Sequence, residues 1–196
     1  MNSKHTTRSA STRAALVAAA RPLFAARGYA DVGTEEVVRA AGVTRGALYH
    51  QFADKQALFE AVFEAVEAEI TQRIAEEALG GNTEDPLAAL EAGVEQFLRA
   101  AAEPEVQRIA LIDAPSVLGW ERWREIGMRY GLGLVEGVLQ AAVDAGRIEP
   151  QPVRALAHVL IGAVDEAAMV VARADDQDAA REEMLVILRR MLRTLR

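Results

Sequence analysis

From Thr12 to Leu195 apolar residues return every three or four positions, and the interruptions fall at glycines, prolines and side chains that cap helices. A chain patterned this way hides its apolar stripes by packing helix on helix. Aromatics make up only 5% of the 196 residues, while alanine, leucine, valine, glutamate and arginine dominate, which favours helices over strands built from β-branched and aromatic residues. The expected fold is all-α, with about nine helices.

A first helix is read over 12–27, where Leu16, Ala19, Ala20, Leu23 and Phe24 share a face, Ser11 or Thr12 caps the start and Gly28 follows the end. Pro22 lies inside it and removes a hydrogen bond, so a bend or a different boundary is expected there. Thr34 is read as the cap of a short second helix, with Glu35 and Glu36 in its first turn, Val37, Val38 and Ala41 on its buried side, and Gly42 as its stop. Thr44 caps a third helix through Gln51, and Asp54 caps a long fourth with Leu58, Val62, Phe63, Val66 and Ile70 as its stripe. Gly80-Gly81-Asn82 breaks the chain and Asp85-Pro86 restarts it. Pro104 opens a sixth helix that Pro115 closes, 120–145 forms a seventh ending at Gly146, and 151–173 and 178–195 form the last two.

The formal charge of −7 hides an asymmetry. Residues 1–56 carry Lys4, Arg8, Arg13, Arg21, Arg27, Arg39, Arg45 and Lys55 against Asp31, Glu35, Glu36 and Asp54, a net +4, which leaves −11 for the rest. A locally cationic end attracts phosphate while an acidic body discourages indiscriminate adhesion to DNA. With no cysteine, disulfides and thiolate zinc sites are excluded, and no charged leader followed by an apolar stretch, nor any run of about 20 apolar residues, is read. The expectation is a soluble, cytoplasmic protein without a membrane partner.

The segment TEEVVRAAGVTRGALYHQF has the grammar of a DNA-reading helix-turn-helix: a short helix, a turn containing glycine, and a second short helix sized for the major groove. Gly42 suits the left-handed turn, Val43 buries between the helices, and Thr44 caps the reader. Ala47 and Leu48 are read as packing residues, which leaves Thr44, Arg45, Gly46, Tyr49 and His50 outward, with Lys55 opening the next helix.

The stretch from Thr12 to about Phe63 resembles the DNA-binding domain of the tetracycline-repressor (TetR) family. The residues that carry the likeness are Ala19, Ala20, Leu23, Phe24, Gly28 and Tyr29, then Thr34, Ala41-Gly42-Val43, Gly46-Ala47-Leu48-Tyr49, Phe52, Lys55 and Leu58. Val37-Val38 departs from the isoleucine-alanine usual there. The resemblance implies phosphate contacts by Thr34, Tyr49, His50 and Lys55, base-edge reading by Arg45, and close backbone approach at Gly46. Arginine suits guanine through its bidentate fork, and a lysine beside a helix N-terminus suits a phosphate.

Beyond the fourth helix the likeness is one of helix number only. It implies an effector pocket enclosed by helices five to seven and a four-helix dimer interface made by helices eight and nine. Candidate effector residues are Phe97, Ile109, Asp113, Trp120, Trp123, Met128 and His158, since aromatics and methionine suit an adaptable apolar cavity and polar groups in apolar stretches need partners. Asp165 and Glu166 are further polar residues of that kind. Candidate interface residues are Leu156, Val159, Gly162, Ala163, Leu188, Met191 and Leu192. The expected organisation is a flexible arm over 1–10, the helix-turn-helix domain over 11–56 extending into a linking helix over 54–78, and an effector-binding and dimerisation domain over 79–196.

The function expected is a ligand-responsive repressor that binds a palindromic operator in double-stranded DNA as a homodimer and is released by a small, largely apolar effector. The rival class, a helical small-molecule-binding protein or metal-dependent enzyme, has little to stand on. Only His5, His50 and His158 are present, and neither a His-Glu-x-x-His run, a phosphate loop nor a nucleophile elbow occurs. An architectural DNA binder without an effector is the other alternative. No catalytic residue, cofactor or metal is expected.

Overall fold

The computed structural model describes residues 3–80 and 85–195, with side chains over 9–77 and 85–195. Met1 and Asn2 of the expected arm, and Gly81 and Asn82 of the expected break, lie outside the described residues. Among those described there are nine helices and no strand, as the periodicity predicts. They are α1 (Ser3–Asp31), α2 (Thr34–Ala41), α3 (Arg45–Gln51), α4 (Lys55–Gly80), α5 (Pro86–Ala101), α6 (104–118), α7 (Trp120–Asp144), α8 (Val153–Arg173) and α9 (Gln177–Arg193).

The chain forms two compact units, one of Met1–Val66 with Pro104–Trp123, the other of Glu67–Glu103 with Arg124–Arg196. In the first, α1 begins at Ser3 rather than Thr12 and passes through Pro22, and its backbone breaks at Gly28, with φ 81° and ψ 167°. That φ is open to glycine and strained for other residues. A Cβ at Gly28 would also come to 2.9 Å from Arg108 Nε, but that is the end of a flexible side chain that can swing aside, so the backbone conformation sets the requirement. Leu16, Ala20 and Phe24 are fully buried, and Phe24 meets Phe59 of α4 edge-on at 5.3 Å.

α6 returns to α1 inside this unit. Arg21 grips Glu105 with two hydrogen bonds of 2.8 and 2.9 Å, and the Asp113 carboxylate accepts the Tyr29 backbone N–H at 2.7 Å. The middle of α6, Gln107–Asp113, is a π-helix, in which each N–H reaches back five residues, as Ala114 N–H does to Ile109 O. Pro115 does not close this helix, which continues to Leu118. In the π register the N–H that Pro115 lacks would have met Ala110 O. The Trp123 indole N–H donates to that carbonyl instead, at 2.8 Å, so no buried acceptor is stranded.

The second unit packs α5, α7, α8 and α9 around Leu87, Leu90, Leu132, Leu139, Leu160 and Leu192. Asp85 caps α5 through Leu87 N–H at 3.1 Å, with Pro86 at the first helical position as the sequence predicts, and Asp176 caps α9 through Ala179 N–H at 3.0 Å. Arg73 pairs with Glu103 at 2.8 Å, and Arg189 with Glu95 at 2.7 Å. α8 is long and apolar enough by length and composition to cross a membrane. Its residues Ala157, Leu160, Ala167, Ala168 and Val171 are buried within the unit, so part of that apolarity serves packing, while Val159 and Val170 stay exposed.

Candidate nucleic-acid interface

α2 and α3 form the expected helix-turn-helix. Gly42 ends α2 in the left-handed region (φ 65°, ψ 28°), and the turn is closed by Gly42 N–H to Arg39 O at 3.2 Å and Val43 N–H to Val38 O at 3.1 Å. Thr44 Oγ1 then accepts Ala47 N–H at 3.2 Å and fixes the start of α3. Leu48 of α3 and Val37 of α2 are buried, and Phe52 just past α3 is 4% exposed. Anchoring one side of a seven-residue helix in this way leaves the opposite side to solvent, and Thr44, Arg45, Gly46, Tyr49 and His50 all lie there.

Thr34 is not a cap. Gly33 holds that position with no side-chain bond, and Thr34 is the first residue of α2. Glycine serves as N-cap through its backbone alone, which leaves the Thr34 hydroxyl for another partner. It and the Arg45 guanidinium draw the Tyr49 phenol below its ordinary pKa. A Cβ at Gly46 would meet only Thr44 Oγ1, at 4.0 Å, so this turn offers a bare backbone.

Arg45 points Nη1 at Glu35 Oε1, 3.4 Å away, and its guanidinium lies 5.6 Å from the Tyr49 ring centroid. The two charged side chains are 65% and 79% exposed, and such exposed pairs contribute only about 0–1 kcal/mol, so the guanidinium is readily released to a better acceptor. Lys55, at the start of α4, sits 4.2 Å above the Tyr29 ring and donates to Ala30 O at 3.4 Å. Partial burial lowers its pKa, with Asp31 acting the other way. Asp54 accepts Ala57 N–H at 2.7 Å and caps α4 as expected.

The candidate effector residues fall in both units. In the first, Asp113 is engaged by Tyr29, Ile109 is fully buried, and Trp123 is core with its N–H satisfied, while Trp120 is 57% exposed against Trp123 at a ring separation of 4.8 Å. In the second, Phe97 and Met128 are half-buried and His158 is exposed. Among the described residues no cluster of three or more acidic or histidine side chains is arranged to hold a metal ion.

Of the candidate interface residues, Val159 is 63% and Met191 38% exposed, whereas Leu156, Gly162 and Ala163 are half-buried. Leu188 and Leu192 are 5% and 3% exposed and pack inward, Leu192 in the core of its own chain. A period of 3.6 gives two adjoining apolar rows on α9 without saying which faces inward. The outward row is Val186, Ile187 and Met191, of which the first two escaped the sequence reading. It also missed the α6 contacts to α1, whose partners lie 81 to 84 residues apart.

Residues 16–62 match the family described as bacterial regulatory proteins, tetR family, and residues 87–195 match the tetracyclin repressor-like C-terminal domain. The Transposon Tn10 TetC protein of Escherichia coli is 26% identical over 156 residues, 78% of this chain and 76% of that one. An HTH-type transcriptional repressor, Rv1474c, of Mycobacterium tuberculosis is 35% identical over 122 residues, 60% of this chain and 61% of its own. The crystal structure of a TetR-family transcriptional regulator from Pectobacterium atrosepticum covers 96% of both chains at 33% identity, with a TM-score of 0.84. With both its helix-turn-helix and its C-terminal helices matched, the chain belongs to the tetR family of bacterial regulatory proteins, which act as DNA-binding transcriptional regulators.

Proposed function

We propose that this regulator represses transcription as a two-fold homodimer on a palindromic operator, and that a small, largely apolar effector releases it. The observation that carries the reading is the solvent face of α3, held outward by the burial of Leu48 and Val37 and placed in the cationic part of the chain. Arg45 reads a base edge, Gly46 lets the backbone approach, and Thr34, Thr44, Tyr49, His50 and Lys55 hold phosphates. The exposed apolar row Val186, Ile187 and Met191 on α9, with Val159 on α8, meets its copy in the dimer. The role is one of binding rather than catalysis, exercised in the cytoplasm, where the operator is.

The test is sequencing of genomic fragments retained by the purified protein. A palindromic motif with half-sites about one helical turn apart is expected, since paired reading helices enter successive major grooves about 34–36 Å apart. Retention without any shared motif would refute the reading. Ligands suggested by the neighbouring genes would then be titrated with and without operator, and reciprocity requires DNA to weaken effector binding by the factor that effector weakens DNA binding.

A further inference from the structure

Among its described residues the second unit holds a carboxyl group without a hydrogen-bond partner. Arg124 on α7 pairs with Asp165 on α8, and its other terminal nitrogen donates to His158 O at 3.3 Å. The Arg124 and Asp165 side chains are 24% and 19% exposed, so this pair is largely withdrawn from water and the guanidinium is committed. Glu67 on α4 lies beside it and feels the Asp165 charge. Among the described residues no group donates a hydrogen bond to Glu67.

The ground in front of Glu67 is unfilled. A Cβ built on Gly127 of α7 would meet nothing within 4 Å except Glu67 Oε2, at 4.0 Å, and one on Gly131, a turn further along the same flank, would meet nothing at all. Both glycines are half-buried. Glu67 itself is half-buried and keeps some accessible surface. A half-buried carboxyl beside open ground can be reached by a ligand, and here two missing side chains on α7 leave the room.

Enclosure and the neighbouring carboxylate push the Glu67 pKa up to about 8, so the group stands protonated near neutrality until a partner arrives. The charges at the site are two carboxyls and one guanidinium, short by one positive charge when both acids are ionised. An anion would face two carboxyls. A neutral hydroxyl could hydrogen-bond the protonated Glu67 but could not balance it once ionised. A cation with N–H donors satisfies both needs.

We propose that Glu67, with Asp165 behind it, anchors a protonated amine or amidine, the polar head of an effector whose apolar body lies along the Gly127 and Gly131 flank of α7. This rests on the reading of the chain as a ligand-responsive regulator and names the class of ligand.

The experiment is calorimetric titration of the full-length protein near pH 7 with matched pairs of equal shape: hexylamine against hexanol, benzylamine against benzyl alcohol, and naphthylmethylamine against naphthylmethanol. In at least one pair the amine binds about tenfold or more tightly than the alcohol, the size of a charge-assisted hydrogen bond. Its binding releases about one proton, seen as a buffer-dependent enthalpy, because Glu67 must ionise to meet it. Glu67→Gln, isosteric with the protonated acid, removes both the preference and the proton release while leaving the circular dichroism spectrum unchanged. Alcohols binding as well as amines in every pair, no amine binding, or an undiminished preference in Glu67→Gln would each overturn the proposal. Operator release is measured separately. Amine binding without release keeps the anchor and removes the ligand-responsive reading, whereas release by a neutral compound with no amine binding does the reverse.

Discussion

Replacing Glu67 by glutamine should make the protein more stable in alkaline solution and change little in mild acid. The glutamate titrates at 4.5 when unperturbed and at about 8 in the fold, because burial and Asp165 disfavour its charge. A folded pKa above the unfolded one means that the native state holds the proton more tightly. Stability is therefore undiminished below about pH 4.5, falls as pH rises towards 8, and is level above that. Each tenfold fall in proton activity within this window costs about 1.4 kcal/mol. Between about pH 5.5 and about pH 8.5 the wild type should lose roughly 3 kcal/mol through this residue, reduced to about 2 by the solvent that reaches the carboxyl. Asp165, raised from 3.8 to about 6, adds a smaller loss confined mostly to lower pH. The assay is urea unfolding of both proteins at the two pH values and one fixed protein concentration, since a dimer's stability depends on concentration. The glutamine variant should gain about 2–3 kcal/mol on the wild type from the lower pH to the higher. Parallel behaviour of the two proteins would show that Glu67 ionises freely and is not enclosed as described.

Arg45→Ala should weaken operator binding by about 1–3 kcal/mol and blur one base position per half-site, and an unchanged binding-site logo would remove Arg45 from base reading. Lys55→Ala should weaken all sequences alike and lower the salt slope by about one, which unequal losses among operators would contradict. Ile187→Glu should convert a sedimenting species of twice the 21.2 kDa chain mass to one of that mass, and an intact dimer would place the interface elsewhere. Trp123→Phe should cost about 1–3 kcal/mol in unfolding, the penalty for stranding Ala110 O, and a neutral effect would mean that water satisfies that carbonyl.

The helix-turn-helix was legible because its determinants are local. Gly42, Thr44 and Asp54 act within four residues of themselves, and burial of Leu48 follows from the helical period. Thr34 misled for a related reason. A threonine before two glutamates has the look of a cap, and only the backbone reveals that Gly33 occupies that place. Pro115 misled because the donor that replaces its missing N–H belongs to Trp123 on the following helix. Leu188 and Leu192 share a stripe with Met191, and periodicity cannot tell a chain's own core from that of a partner. Glu67 gave no signal at all, since a glutamate between Val66 and Ile70 on an amphipathic helix is ordinary until α7 and α8 close over it.

The π turns of α6 bear on how insertions and deletions are tolerated. A helix that runs i to i−5 over 107–113 carries surplus chain relative to an α-helix spanning the same ends, much as if one residue had been spliced in. Removing a single residue there would let the segment relax to the ordinary pitch without shortening its span. Taken out between Ala110 and Pro115, the residue would leave the proline opposite the same carbonyl, now four places back, and the Trp123 indole would keep its acceptor; taken out before Ala110, it would hand that carbonyl to the Ala114 N–H instead. The seven-residue segment thus stores one position of slack, and the place of the deletion decides whether Trp123 keeps its acceptor.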